Sequence, residues 1–195
     1  DFAPVSLVGS FPLILGVSDN SPARNFSELV QWSKANAKNS NYSYPAASFQ
    51  LVMELVKTKT GMKAMNVPYQ GSAPSINAVL TQEVQMTLID SGPIAALLKS
   101  GKLRAIATTG AKRDATLPEL PTIAEAGVPG YASSAWFGLV APAGVPKPIV
   151  DKLNAEINRI LALADIREKM VAQGTAPFWA HRQLLLGENA DAVLD

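Results

Sequence analysis

The chain has 195 residues, 48% of them hydrophobic and 17% charged, which supplies a packed core and excludes a disordered chain. Its 17 basic and 16 acidic side chains leave a net charge of +1 with the signs well mixed, so no basic stripe marks a nucleic-acid site. There is no cysteine, which removes disulfides and thiolate chemistry, and no run approaches the ~20 apolar residues of a membrane helix.

In chain order, Pro4–Val17 predicts two extended segments broken at Ser10–Pro12, the second too apolar for an exposed edge. After a loop rich in Ser, Asn and Pro, Asn25 with Glu28 three residues on predicts a capped helix carrying Phe26, Leu29, Val30 and Trp32. Asn41–Tyr44 is a short strand ending at Pro45. Ala47, Leu51, Glu54 and Leu55 then follow helical spacing, Ser48 and Gln50 fall near the first turn, and Gly61 stops the helix. Lys63–Val67 is a strand that leads into Asn66–Leu80, the stretch around which the chain is organised. There Pro68 holds Val67 extended, Tyr69, Gln70 and Gly71 turn, Ser72 occupies the expected N-cap, and Pro74 sits early in a helix carrying Ile76, Val79 and Leu80. A strand, a glycine turn and a capped helix start gather free backbone N–H groups at the positive end of a helix dipole, which suits a carboxylate or other small anion.

Glu83–Asp90 alternates as a strand, and Ser91, Pro93 and Gly101 cap, open and close the next helix. Leu103–Gly110 is a buried-type strand, followed by a proline-punctuated connection with a short helix at Ile123–Ala126. Ser134–Val140 is a strand in which Trp136 and Phe137 are expected in the core. Pro148–Leu163 predicts an amphipathic helix with Ile149, Leu153, Ile157 and Ile160 on one face, and Asp165 is expected to cap another, Ile166–Gln173. Strands alternating with helices predict an α/β fold with a parallel or mixed sheet covered on both faces. Ligands in such sheets sit beyond the carboxyl ends of strands, and Pro45–Ser48, Pro68–Pro74 and Asp90–Pro93 are three joints of that kind.

Catalysis lacks a constellation. The sole histidine, His181, has no partner at metal-ligand spacing and reads as a surface or packing residue. Asp90 has no second carboxylate beside it and is expected to cap a helix or organise water. Glu54 and Asp114 are expected to be solvated. No glycine-rich nucleotide motif occurs; the expectation is a protein that is no enzyme and holds no metal or cofactor. Ligand contact is expected first at Tyr69, Gly71, Ser72 and Ala73, next at Ser48 and Gln50, and third at Asp90. Gly71 allows close backbone approach, Ser72 donates through backbone and hydroxyl, and Tyr69 offers a ring wall with a polar tip.

The segments VPYQGSAP, KLRAIATTGAKR, LPELPTIAEAGVPGY and SSAWFGLVAPAGVPKP, at these spacings, resemble the substrate-binding receptors of tripartite tricarboxylate transporters, the Bug or TctC-like family. The resemblance extends to about Gly174; the tail from Thr175 departs from it. It implies a periplasmic-binding-protein-like (type II) fold of two α/β lobes with the ligand between them, a small carboxylate solute, membrane permease subunits as partners and a periplasmic location. Residues 19–127 would form the second lobe, with 1–18 and 128–195 crossing strands and part of the first. The family's N-terminal strand and glycine-rich anion loop have no counterpart here, so the chain is expected to lack the N-terminal part. The alternatives are a ligand-sensing domain for a regulatory partner, and a truncated remnant that does not bind and could pair as a swapped homodimer.

Overall fold

The computed structural model describes residues 2–114 and 116–177. The chain divides into two compact units, Pro12–Ser134 and the paired segments Asp1–Phe11 and Ala135–Asp195. The expected break at Ser10–Pro12 is absent: β1 (Phe2–Ser18) is one strand of 17 residues. Proline has no N–H for a ladder. The pairing of Gly9 and Ser10 with β7 (Ala176–Pro177) ends before Pro12, and that with β4 (Met86–Asp90) starts after it at Leu13.

The unit Pro12–Ser134 holds, besides the end of β1, α1 (Phe26–Ala35), β2 (Asn41–Tyr44), α2 (Ala47–Thr60), β3 (Met65–Pro68), α3 (Ser72–Leu80), β4, α4 (Ser91–Lys99) and β5 (Leu103–Thr108). Its strands lie in the order β3-β2-β4-β1-β5. β2 is parallel to β3 and β4, while β1 is antiparallel to β4 and β5. The four strands other than β1 therefore point the same way, and their carboxyl ends share one edge. Right-handed crossovers send α2 to one face and α3 and α4 to the other.

In β4, Met86, Thr87, Leu88 and Ile89 are all fully buried, as a strand covered on both faces requires. The α3–α4 face is filled by Ile14, Ile76, Val79, Ile89, Ile94, Leu103 and Leu120. Between β2, β4 and α3 the core is polar instead. The Ser43 hydroxyl donates to the Ser75 carbonyl (2.9 Å), the Ser75 hydroxyl donates to that of Ser43 (2.9 Å), and the Ser75 and Thr87 hydroxyls lie 3.2 Å apart. All three residues are fully buried, so this network fixes the first turn of α3 against the sheet.

Local expectations meet mixed outcomes. Asn25 caps α1 as predicted, accepting from the Glu28 N–H at 2.9 Å while Glu28 reaches back to the Arg24 N–H at 2.7 Å. Gly61 ends α2 in the left-handed conformation. The helix expected at Ile123–Ala126 is a run of turns: Thr122 and Glu125 bond each other's N–H as at a helix start (2.9 and 3.1 Å), but Gly127 at φ +118° stops the chain after one turn. Glu54, expected in solvent, accepts from the Tyr42 hydroxyl (2.9 Å) and pairs with Lys57 (2.7 Å). Asp114 is buried, with one oxygen on the Thr116 N–H (2.8 Å) and hydroxyl (2.6 Å).

In the other unit, β6 (Ser134–Pro142) and β7 pair with β1, and α5 (Lys147–Leu161) and α6 (Ala164–Ala172) follow β6. Val5, Ala141 and Val150 are buried together with Ile157 against them, and the Asn154 amide donates to the Val5 carbonyl at 2.7 Å. The inward stripe of α5 is thus Val150, Asn154, Ile157 and Leu161, which keeps Ile157 of the predicted face and replaces its other three members by their C-terminal neighbours; Ile149, Leu153 and Ile160 are exposed. Trp136 and Phe137 are not core residues here, being 56% and 57% exposed, although the Phe137 ring packs on Phe11 with centroids 4.8 Å apart. Asp165 does not cap α6, which begins at Ala164; it pairs with Lys169 one turn on. His181 and the divergent tail after residue 177 lie outside the described residues.

Candidate functional site

The shared carboxyl edge of β2, β3, β4 and β5 is where the sequence-predicted residues fall. Tyr44, Pro68 and Asp90 end their strands, and α2, α3 and α4 begin at Ala47, Ser72 and Ser91, three, four and one residues on. None of the three helices has a side-chain hydrogen bond at its N-cap. Three positive helix ends with their first N–H groups left free of side-chain caps meet one edge of the sheet.

At α3 the cap is Gly71, not Ser72 as predicted. Gly71 has φ +100° and ψ 172°, a conformation essentially confined to glycine, and a Cβ there would meet nothing within 4 Å. The backbone conformation, rather than lack of space, demands glycine. Ser72 becomes the first helical residue, half-buried, and Ala73 is exposed beside it. Tyr69 extends the parallel ladder, its N–H donating to the Tyr44 carbonyl (3.0 Å) and its hydroxyl to Glu83 (2.9 Å). Burial, and secondarily Glu83, raises the Tyr69 phenol above its ordinary range.

Asp90 occupies the N-cap position of α4, as expected of a capping residue, yet its carboxylate caps nothing. Burial pushes the carboxyl above the ordinary aspartate range, while hydrogen bonding from its own backbone N–H and from the Ser72 side chain works the other way. The fold thus brings Ser72 and Asp90 together across β2. Ser48 and Gln50 reach the same edge on α2, Ser48 exposed and Gln50 half-buried, with no hydrogen bond to Ser72 or Asp90.

Three features of this edge escaped the sequence reading. The Ser91 hydroxyl, expected to cap α4 but carried by its first helical residue instead, is buried with no partner among the described residues. Thr109 locks β1 to β5, accepting from the Leu13 N–H through its hydroxyl (2.8 Å) and donating its own N–H to the Leu13 carbonyl (2.9 Å). A Cβ at Gly110 would stand 3.0 Å from the Pro12 ring and from the Lys112 carbonyl. Thr109 and Gly110 acquire these roles from an antiparallel register that no local signal announces. A hollow of about 520 Å³ lies elsewhere, lined by Leu98, Leu103, Ile106 and Leu117 along β5, and includes none of the predicted residues. Among the described residues no group of three or more acidic or histidine side chains could hold a metal ion, and no helix is long and apolar enough to cross a membrane.

Residues 1–191 match the tripartite tricarboxylate transporter family receptor, TctC. Protein BugT of Bordetella pertussis is 31% identical over 195 residues, 99% of this chain and 60% of that protein. The chain spans 53–60% of the length of such curated relatives. Among solved structures, R. palustris Rpa4515 with adipate superposes with a TM-score of 0.90 at 33% identity, covering 99% of this chain and 65% of that one. MatC from Rhodopseudomonas palustris with bound malate gives 0.87 at 27% identity, covering 100% and 70%. The periplasmic binding protein BugD also gives 0.87, at 31% identity over 98% of this chain and 66% of that one. The α/β unit is thus a lobe of the periplasmic-binding-protein kind.

Proposed function

Since the chain belongs to the tripartite tricarboxylate transporter receptor family, we propose that it binds a small carboxylate solute at the carboxyl edge of the unit Pro12–Ser134 and presents it to the permease subunits of such a transporter in the periplasm. The observation that carries this reading is the convergence of α2, α3 and α4, all without side-chain caps, on one edge. Backbone N–H groups at such ends act as preorganised donors to an anion. Tyr69, Gly71, Ser72 and Ala73 form the first contact group, Ser48 and Gln50 the second, and Asp90 the third. The role is recognition, not chemistry: the edge offers donors and one isolated acid, without the paired acids or activated nucleophile that catalysis uses. Adipate and malate, the solutes named with two similar structures, are both dicarboxylates.

Calorimetric titration against dicarboxylates, aromatic carboxylates and amino acids tests the reading. Binding by at least one carboxylate class, with a rise in melting temperature that grows with solute concentration, is the expected result. Silence across all three classes sinks it. Co-purification with permease subunits, rather than with a sensor kinase or regulator, tests the transport half of the reading.

A further inference from the structure

The β4–α4 joint holds a conflict. Its surroundings attract anions, yet its most prominent side chain is an acid. Asp90 stands at the N-cap position, where an aspartate ordinarily accepts from the first turn, and it does not do so. No cation compensates it: Asp90 belongs to none of the ion pairs among the described residues. β1, β2 and α3 carry no charged residue in their described spans, and Lys99 of α4 lies nine residues along the helix, roughly 13 Å away at ~1.5 Å per residue. In the loop after β5, Arg113 pairs with Glu125. What faces the carboxylate is uncharged: its own N–H and the Ser72 side chain. The adjacent Ser91 hydroxyl is buried and unpartnered. A carboxylate offers about four acceptor positions, so Asp90 keeps acceptor capacity that the fold does not use. A solute carrying only carboxylates would set like charge against it; one carrying a donor would complete it.

We propose that Asp90 is the specificity-determining residue of this site, accepting a hydrogen bond from a hydroxyl or ammonium group placed next to the solute's carboxylate, so that 2-hydroxy and 2-amino acids are favoured over their unsubstituted counterparts. The inference rests on the receptor reading above and sharpens its solute class. The helix starts hold the solute's carboxylate, and Asp90 reads the substituent beside it. A hydrogen bond to a charged acceptor, left unmade when the substituent is absent, discriminates strongly.

The test is paired calorimetry of L-malate against succinate, which differ by one hydroxyl, on the protein and on Asp90→Asn and Asp90→Ala, with melting temperatures recorded for all three. If the protein prefers aromatic solutes, mandelate against phenylacetate replaces the pair. Malate should bind at least about tenfold more tightly at pH 7.5, and both variants should shrink that gap to about twofold or less while still melting cooperatively. Equal affinities in the protein, or a gap that survives both substitutions, overturns the inference. Binding without discrimination is its failure alone; silence to every carboxylate is the failure of the receptor reading, and this inference falls with it.

Discussion

The two ends of the sheet in Pro12–Ser134 are built from the same kinds of element and finished in opposite ways. At the end where β2, β4 and β5 begin, side chains tie off the backbone. Arg104 donates to the carbonyls of Asp19 (2.9 Å), Ser21 (3.3 Å) and Ala23 (3.2 Å) and pairs with the Asp19 carboxylate (2.8 Å). The Asn41 side chain accepts from the Gln85 N–H (2.8 Å), and Asn25 with Glu28 closes the start of α1. At the end where those strands finish, three helices start without such closure and an aspartate declines the cap it is placed to make. The contrast is one of helix starts and loops rather than of every polar group, since the Ser40 hydroxyl before β2 is also buried with no partner among the described residues, and it is the open helix starts that the proposed binding edge would use.

The largest effect should come from the closed end. Arg104→Ala removes one guanidinium that holds three carbonyls of the loop leading to α1, and should cost about 2–3 kcal/mol in chemical denaturation. Solute affinity should change little, since nothing at the carboxyl edge depends on that loop. A large loss of affinity with little loss of stability would erase the contrast between the two ends.

Gly71→Ala probes the open end. Placing a Cβ at φ +100° and ψ 172° should cost about 1–3 kcal/mol. It should also weaken solute binding beyond what the lost stability explains, because relaxing that φ turns the first N–H groups of α3 away. Calorimetry on the folded variant separates the two effects; unchanged affinity removes Gly71 from the site.

Asn25→Ala should cost about 1 kcal/mol, the value of one N-cap, visible as a lower melting temperature with solute affinity intact. Introducing a cap at Ala46→Ser is its mirror image: it should stabilise α2 slightly and, by occupying an N–H at the open edge, weaken binding.

How much of this was legible in the sequence follows from the range of the interactions. Asn25–Glu28, Gly61 and the alternation of strands and helices are local, so spacing alone exposes them, and the motif-sized segments around Val67–Pro74 and Leu117–Tyr131 carry the family. The joints at Pro45–Ser48, Pro68–Pro74 and Asp90–Pro93 were legible as joints; that they meet on one edge needs β2 to lie between β3 and β4, a pairing over more than 40 residues between Ser43 and Thr87. Gly71 and Ser72 exchanged the cap because a positive φ is not visible in a Gly-Ser pair. Asp114 was read as solvated because its burial depends on a turn, and three positions of the α5 face were misplaced by one residue because Asn154, a polar residue, points inward to Val5. The Ser43–Ser75–Thr87 network and the Thr109 lock are long-range polar contacts between small residues, the kind that periodicity cannot mark.

The smallest effect, and the one that joins the two ends to function, is the pH dependence of stability at Asp90. Its folded-state carboxyl lies above the ordinary aspartate value because burial penalises the charge more than Ser72 and the backbone N–H favour it. The folded protein therefore holds this proton at a pH where the unfolded chain has released it, and stability attributable to Asp90 falls as pH rises from about 4 through the folded value. Asp90→Asn removes that slope, so the variant should gain on the parent protein at pH 7 and lose the advantage near pH 4, as read from denaturant midpoints at the two pH values. Bound solute should reverse the sign if it donates to the carboxylate, since it then favours the charged form. An acid whose burial costs stability in the empty protein and whose charge the solute relieves would fit the proposed site; an Asp90→Asn variant no more stable than the parent at pH 7 would make it an ordinary residue of the joint.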